Sequence, residues 1–402
     1  MPSFDANDYV YLDWAATAPL CEEAAQAMAP YQVPGRANLA VGGNANSLHA
    51  PGRAAFAALE DARRSLARDL GASRPDEVVF TSGATEADDA ALLGIAQAAA
   101  DERRRRGAGD FVPHVVVTAV EHDAVLAPAK RLESQGFRVT RLTPNRQGFI
   151  EERALEAALD ADTVLVSVQA ANSEVGSIQP IADLARVAHD HAALFHTDAV
   201  QALGKARVNL QELDVDAASF SAHKVGGPKG AGALYLRART PFHAYAIGGG
   251  QEGGRRSGTQ NVAGAAGFAA AAHAACSLQE REAARLRGLR DRLYAGLSAH
   301  GAVEATVDVA PGSADFLPNI VHVLVRGLES ETLILRFDLR GFGVSGGSAC
   351  SSHSLAPSHV LHALGIDDDR AHGALRISMG RGTTEEDVSA FLGAVAGVLD
   401  WS

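Results

Sequence analysis

Five short apolar runs, at 78–80, 115–120, 164–168, 193–197 and 217–220, alternate with stretches of helical periodicity, and each ends in a polar or glycine-rich turn. Runs this short and this uniformly apolar read as strands buried on both faces. That requires an α/β fold, with a mainly parallel sheet and helices on both sides. In such sheets ligands bind beyond the carboxyl ends of the strands. The residues that follow each run are therefore the candidates for chemistry.

The richest of these ends lie between Leu194 and Leu236. One run delivers Asp198 and Gln201, and the next delivers Ser221, His223 and Lys224. A lysine beside a carboxylate from a neighbouring strand suits pyridoxal phosphate. The amine can form a Schiff base, and the carboxylate can keep the pyridinium nitrogen protonated. Read alone, Lys224 is equally a turn lysine and Asp198 a helix cap. The turn S-G-A-T-E-A after 78–80 presents Ala84 and Thr85 at a helix N-terminus, where free N–H groups and the helix dipole favour a phosphate. The other run ends deliver Glu121 with His122, and Asn172. His122 reads as an acid/base or a ring stacked on a cofactor, or else as a satisfied polar residue. Asn44, Ser47 and His49, in the loop 35–52, line a site or form turns. The glycine-rich segment 247–261 presents Thr259 and backbone N–H groups to an anion, or serves as a linker.

Helices are expected at 53–70 (Phe56, Leu59, Ala62 and Leu66 on the core stripe) and at 277–300. The second is opened by a Ser277…Glu280 capping box and carries Leu286, Leu289, Leu293 and Leu297. A smaller α/β domain follows. It has a strand at 320–325, a helix at 329–339, a loop at 341–357, a strand at 374–379 and a closing helix begun by Thr383…Glu386. The expected division is a segment 1–20 packing with the smaller domain, a large cofactor-binding domain over 21–265 and the smaller one over 266–402, the boundary falling near 262–276.

Composition narrows the classes further. The net charge of −12 on 402 residues argues against nonspecific nucleic-acid binding. The lone basic cluster, Arg103 to Arg106, reads as the solvated C-terminus of a helix. No apolar run is long enough to span a bilayer, and the N-terminus lacks a signal-peptide pattern. Three cysteines without a close pair make neither a disulfide framework nor a zinc site, so no metal is expected. The chain reads as cytoplasmic with its thiols reduced. Cys21 and Cys276, in helical or alanine-rich surroundings, read as inert. Cys350 lies in G-V-S-G-G-S-A-C-S-S-H-S, a run too small in its side chains to bury itself, and reads as an exposed thiol on a loop able to swing. Arg376, alone in an apolar strand, needs an anion: a substrate carboxylate or a structural carboxylate.

These stretches resemble the pyridoxal phosphate-dependent cysteine desulfurases of the NifS/IscS type, within the class V aminotransferase family of fold type I. The matches are Y-L-D-x-A-A-T, S-G-A-T-E-A, Glu121-His122, N-x-E-x-G, H-T-D-A-V-Q, S-A-H-K-x-G-G-P-K-G, G-G-G-Q-E-x-G-x-R-S-G-T, G-S-A-C-S-S and P-S-H-V-L-x-A-L-G. They run in order through nearly the whole chain.

The resemblance implies that Lys224 holds the cofactor, Asp198 pairs with the pyridinium nitrogen and Gln201 with the ring hydroxyl. His122 would stack on the ring and move protons. Ala84, Thr85, Ser221 and His223 would hold the phosphate, with Thr259 reaching in from the second subunit of a homodimer. Asn172 and Arg376 would fix cofactor and substrate, with Asn44 nearby on the substrate loop. Cys350 would take the sulfur of L-cysteine as a persulfide, release alanine and pass sulfur to an iron–sulfur scaffold or another acceptor protein. A selenocysteine lyase or another class V enzyme is the alternative. Trp14, Ala18, Ala45, Asn46 and His353 depart from the family pattern.

Overall fold

The computed structural model describes residues 8–107, 110–347 and 357–400. Its strands, in chain order, are β1 (Val10–Tyr11), β2 (Val78–Thr81), β3 (His114–Thr118), β4 (Arg138–Leu142), β5 (Thr163–Ser167), β6 (Leu194–Asp198), β7 (Ala217–Ser221), β8 (Gly232–Leu236), β9 (Val303–Ala305), β10 (Ile320–Val325), β11 (Phe342–Gly343) and β12 (Ala374–Ser378). The central sheet has seven strands in the order β2-β8-β7-β6-β5-β3-β4. All run parallel except β8, which is antiparallel to both its neighbours.

The period-two alternation of side chains divides two cores across this sheet. Val116 of β3 with Ala233 and Tyr235 of β8 face one core. Val115 and Val117 with Leu234 and Leu236 face the other. The first face is covered by the helices Ala50–Asp69, Ile181–Asp190 and Val262–Ser277, through side chains such as Leu59, Leu184 and Phe268. The second is covered by Ala84–Arg105 and Asp123–Ser134, through Leu92, Ile95 and Leu132. Burial on both faces leaves only the strand ends for a site.

The smaller unit has an antiparallel sheet, β12-β10-β9, and the parallel pair β1-β11. Its core joins Leu12 to Leu286, Leu289, Leu293 and Leu297 and to Phe337, Phe342 and Phe391. The N-terminal segment thus crosses to this unit through β1 and Leu12.

Several expectations are corrected. Phe56 is 53% exposed, because the buried face of its helix is Ala55, Leu59, Ala62, Arg63 and Leu66. The Ser277…Glu280 capping box does not form. Asn261 already caps a helix that runs to Ser277, so Ser277 is helical and the next helix, Gln279–Ser298, opens without a side-chain cap. The closing helix Glu385–Leu399 is capped one residue later than expected, by Thr384 with Asp387. Arg103 is not a solvated end: its guanidinium donates to the carbonyls of Ala161, Thr163 and Ala192 at 2.5, 2.6 and 2.8 Å. The helix 262–277 packs in the first core, through Val262, Ala265, Phe268, Ala269 and Ala272.

Candidate active site

The carboxyl ends of β2, β3, β5, β6 and β7 surround a cavity of about 450 Å³. Its lining joins Ser82 to Thr85, Asp88, His122, Gln169, Asp198, Gln201, Ser221, His223 and Lys224 from the sheet edge to Ala15, Ala16 and Thr17 from the N-terminal segment and Arg376 from β12. Of the residues singled out in the sequence, Ala84, Thr85, His122, Asp198, Gln201, Ser221, His223, Lys224 and Arg376 therefore meet in one place. Asn172, Asn44 and Thr259 do not line it. Cys350 and His353 lie outside the described residues.

Lys224 closes the short helical turn Ala222–Lys224 that follows β7. Its Nζ donates to the carbonyls of Ala15 and Ala16 at 2.7 and 2.8 Å, which holds the amine at the cavity wall. Asp198 ends β6 and accepts the Val200 N–H at 2.9 Å. Burial pushes its carboxyl up, and the Val200 N–H and the charges of His122 and Lys224 pull it back. His223 lies beside Lys224 and the Thr17 hydroxyl, its Nδ1 3.1 Å from Thr17 Oγ1. Burial, then the charges of Lys224, Lys205 and Lys229, push its imidazole down to about 4, so it is neutral at physiological pH. His122 caps the helix Asp123–Ser134, its Nδ1 accepting from Ala124 N at 3.1 Å.

The turn S-G-A-T-E-A leads into a helix at Ala84, as its sequence leads one to expect. The helix Ala84–Arg105 starts without a side-chain cap, so its first-turn N–H groups have no intrahelical acceptor. Gly232 makes room for this turn: a Cβ there would stand 2.6 Å from Gly83 Cα.

Arg376 is 1% exposed, and the structural carboxylate it was expected to need is Asp13. Nη2 donates to Asp13 Oδ1 and Nη1 to the Ser173 carbonyl, each at 2.9 Å, while buried Nε has no partner. Gln201 donates to the Ala15 carbonyl at 3.0 Å and leaves Oε1 buried without a partner. Asn172 is spent on the backbone: Oδ1 accepts from Glu174 N and Val175 N, both at 2.9 Å, and Nδ2 donates to the Val120 carbonyl at 3.3 Å. Asn44 and Thr259 are exposed. Asn44 accepts from Asn46 N in a turn, and Asn46 in turn donates to Gln260 of the glycine-rich segment at 3.0 Å. His49 caps the helix Ala50–Asp69, so the turn reading holds for that loop.

Three groups escaped the sequence reading. The Ala15 and Ala16 carbonyls carry no side-chain signal. Asp88, one turn past the start of the helix, lines the cavity fully buried, with no hydrogen bond to either carboxylate oxygen and with His196 Nε2 3.6 Å from Oδ1. Burial first, and then the Asp198 charge, push its carboxyl well up. An acid among the alanines of 87–91 was the signal that could have found it. Lys205 donates to the Lys224 carbonyl at 3.3 Å, and burial followed by the Lys224 charge pushes its amine down to about 7. By contrast, burial pushes the thiol of Cys276 up to about 11 and that of Cys21 up as well, in keeping with their inert reading.

These residues fit pyridoxal phosphate. A helix N-terminus with Ser221 and neutral His223 suits the phosphate. The Asp198 carboxyl, buried at the end of β6, suits a pyridinium N–H. The orphaned Gln201 Oε1 suits a hydroxyl donor.

The Aminotransferase class-V family model matches residues 10–391. The chain is 41% identical over 391 residues to a protein of Dictyoglomus turgidum named cysteine desulfurase IscS, covering 97% of this chain and 94% of that one. It is 42% identical over 381 residues to the protein of the same name from Klebsiella pneumoniae, covering 94% and 90%. A solved structure described as a NifS-like protein superposes with a TM-score of 0.86 at 36% identity, covering 97% of this chain and 99% of the other.

Proposed function

The chain belongs to the class V aminotransferase family, and from that premise we propose that it is an L-cysteine desulfurase in which Lys224 carries pyridoxal phosphate and Cys350 receives the sulfur. One observation carries the reading: a chain matched along nearly its whole length to proteins named cysteine desulfurase brings an amine, a carboxyl and a free helix N-terminus to one cavity. When bound, pyridoxal phosphate supplies an electron sink that holds carbanion charge while the substrate C–S bond breaks.

The chain's own residues supply the rest. Lys224 would tether the cofactor, and its amine would move the proton at the substrate Cα. Asp198 would hold a proton on the ring nitrogen, Gln201 would hold the ring hydroxyl, and the turn Ala84–Thr85 with Ser221 and His223 would hold the phosphate. His122, at the cavity wall, would relay protons. The free Nε of Arg376 orients the substrate carboxylate. Cys350 Sγ attacks the substrate sulfur. The C–S bond breaks, an S–S bond forms, and cysteine plus thiol becomes alanine plus a persulfide, with the protons balanced.

Thr259, exposed and outside its own cavity, supports a reading in which it reaches the cofactor phosphate of a partner subunit in a homodimer. The persulfide then serves an iron–sulfur scaffold or another sulfur-acceptor protein. Among the described residues no helix is long and apolar enough to cross a membrane.

Cys350→Ala tests the proposal. The variant should bind L-cysteine and change the cofactor's visible absorbance, yet lose persulfide formation and alanine turnover. Full sulfur release from cysteine by this variant would overturn the assignment.

A further inference from the structure

The glycine-rich segment 247–261 is built against the phosphate cradle. Glu86, on the first turn of the helix Ala84–Arg105, accepts the Ser82 N–H on Oε2 at 2.7 Å. Arg256 grips the same carboxylate, Nε to Oε1 at 2.7 Å and Nη2 to Oε2 at 3.2 Å. The pair is mostly shielded, with side chains 26% and 19% exposed. A second tie runs beside it, where Glu252 of the same segment accepts the Phe80 N–H at 3.0 Å. The chain entering the turn Ser82–Thr85 is thus held at Phe80 and at Ser82 by carboxylates that belong to, or are gripped by, the segment.

The charges make this arrangement unusual. A carboxylate at a helix N-terminus stabilises the helix, but here the same N-terminus must accept a phosphate dianion. Glu86 competes with that anion twice, by repelling it and by engaging the Ser82 N–H. Hydrogen bonds from Arg256 and Ser82 outweigh the burial that would neutralise Glu86, so it stays ionised. Only Arg256, among the described residues, forms an ion pair with it.

We propose that Arg256 is a positioning residue for the cofactor phosphate: by cancelling Glu86 and fixing the Ser82–Thr85 turn, it lets a helix that begins with a carboxylate hold a second anion. The inference rests on reading Ala84–Thr85 as the phosphate site.

The test uses full-length apoenzyme titrated with pyridoxal phosphate and with unphosphorylated pyridoxal, reading the absorbance of the bound aldehyde rather than turnover. Arg256→Met should weaken pyridoxal phosphate binding by about tenfold to thirtyfold while leaving pyridoxal within about threefold of the parent. Glu86→Gln combined with Arg256→Met should recover most of the loss, because the repelling charge is gone. Arg256→Lys, which keeps the charge, should hold most of the preference and guards against a variant that fails to fold. Equal weakening of both aldehydes by Arg256→Met, or a double variant no better than the single one, would overturn the proposal alone. A parent enzyme with no preference for the phosphorylated aldehyde would overturn the phosphate-site reading and the proposal with it.

Discussion

Two regions of this molecule bury charge, and they do so in opposite ways. In the clamp beneath the glycine-rich segment, Arg63 gives Nη1 to Glu252 Oε2 and to the Val78 carbonyl, each at 2.6 Å, Nη2 to Glu252 Oε1 at 3.0 Å and Nε to Glu60 at 2.9 Å. Glu252 spends its remaining capacity on the Phe80 N–H. At the cavity edge, by contrast, both oxygens of Asp88, Oε1 of Gln201 and Nε of Arg376 are buried without a hydrogen-bond partner, as is Oε2 of Glu121, whose Oε1 accepts from the lining residue Gln169. An unsatisfied buried polar atom costs about 1–3 kcal/mol, so a cluster of them marks a surface shaped to receive something the chain does not itself contain. The clamp holds the fold, and the edge holds capacity in reserve.

The comparison breaks most readily at the clamp. Arg63→Met keeps the volume and strands Glu252 in a site where both side chains are almost wholly buried. The unfolding free energy should fall by about 3–5 kcal/mol, measured by denaturant titration of the cofactor-loaded enzyme. KM for L-cysteine should stay within about threefold of the parent. A large rise in KM with unchanged stability would assign the clamp to the site and erase the distinction.

Arg376 should behave in the reverse manner. Its Asp13 partner is partly exposed, with the side chain at 20%, so Arg376→Gln leaves a carboxylate that water can reach. Stability should fall by about 1 kcal/mol. Losing a charge-assisted contact to the substrate carboxylate should raise KM by about thirtyfold to a hundredfold. An unchanged KM would show that Asp13 and Ser173 exhaust the guanidinium and that its free Nε serves nothing.

What the sequence disclosed follows the same division. The strand ends and the residues they deliver were legible because buried parallel strands leave a strong local signal, and Asp198, His223 and Lys224 sit within three residues of one. The alanine-rich helix Val262–Ser277 was missed because a uniformly apolar stretch has no periodic stripe to count. The carbonyls of Ala15 and Ala16 were invisible because backbone atoms have no residue type. Asn172 illustrates the converse. It sits at a strand end like the others, yet its Oδ1 is taken by the Glu174 and Val175 N–H groups of its own turn. Spacing places a residue at the site, but hydrogen-bond competition decides whether its side chain is available.

Glu121 offers the finest discrimination between the two regions. It is fully buried, accepts from Thr118 Oγ1 and Gln169 N at 2.8 Å each, and forms no ion pair among the described residues. Burial pushes its carboxyl up from 4.5 to about 8, with the Asp198 charge adding to the rise. The folded protein therefore keeps a proton on Glu121 that the unfolded chain releases near pH 4.5. The associated stability is fully present below that pH, declines as pH rises, and is gone above pH 8. Glu121→Gln is neutral at every pH and keeps an acceptor for the same two donors, so it should match the parent at pH 5. At pH 9 it should exceed the parent by ~2 kcal/mol. Unfolding titrations at the two pH values decide the matter. A difference that stays flat would mean that Glu121 is ionised and compensated throughout, and the cavity edge would then bury its charge as the clamp does.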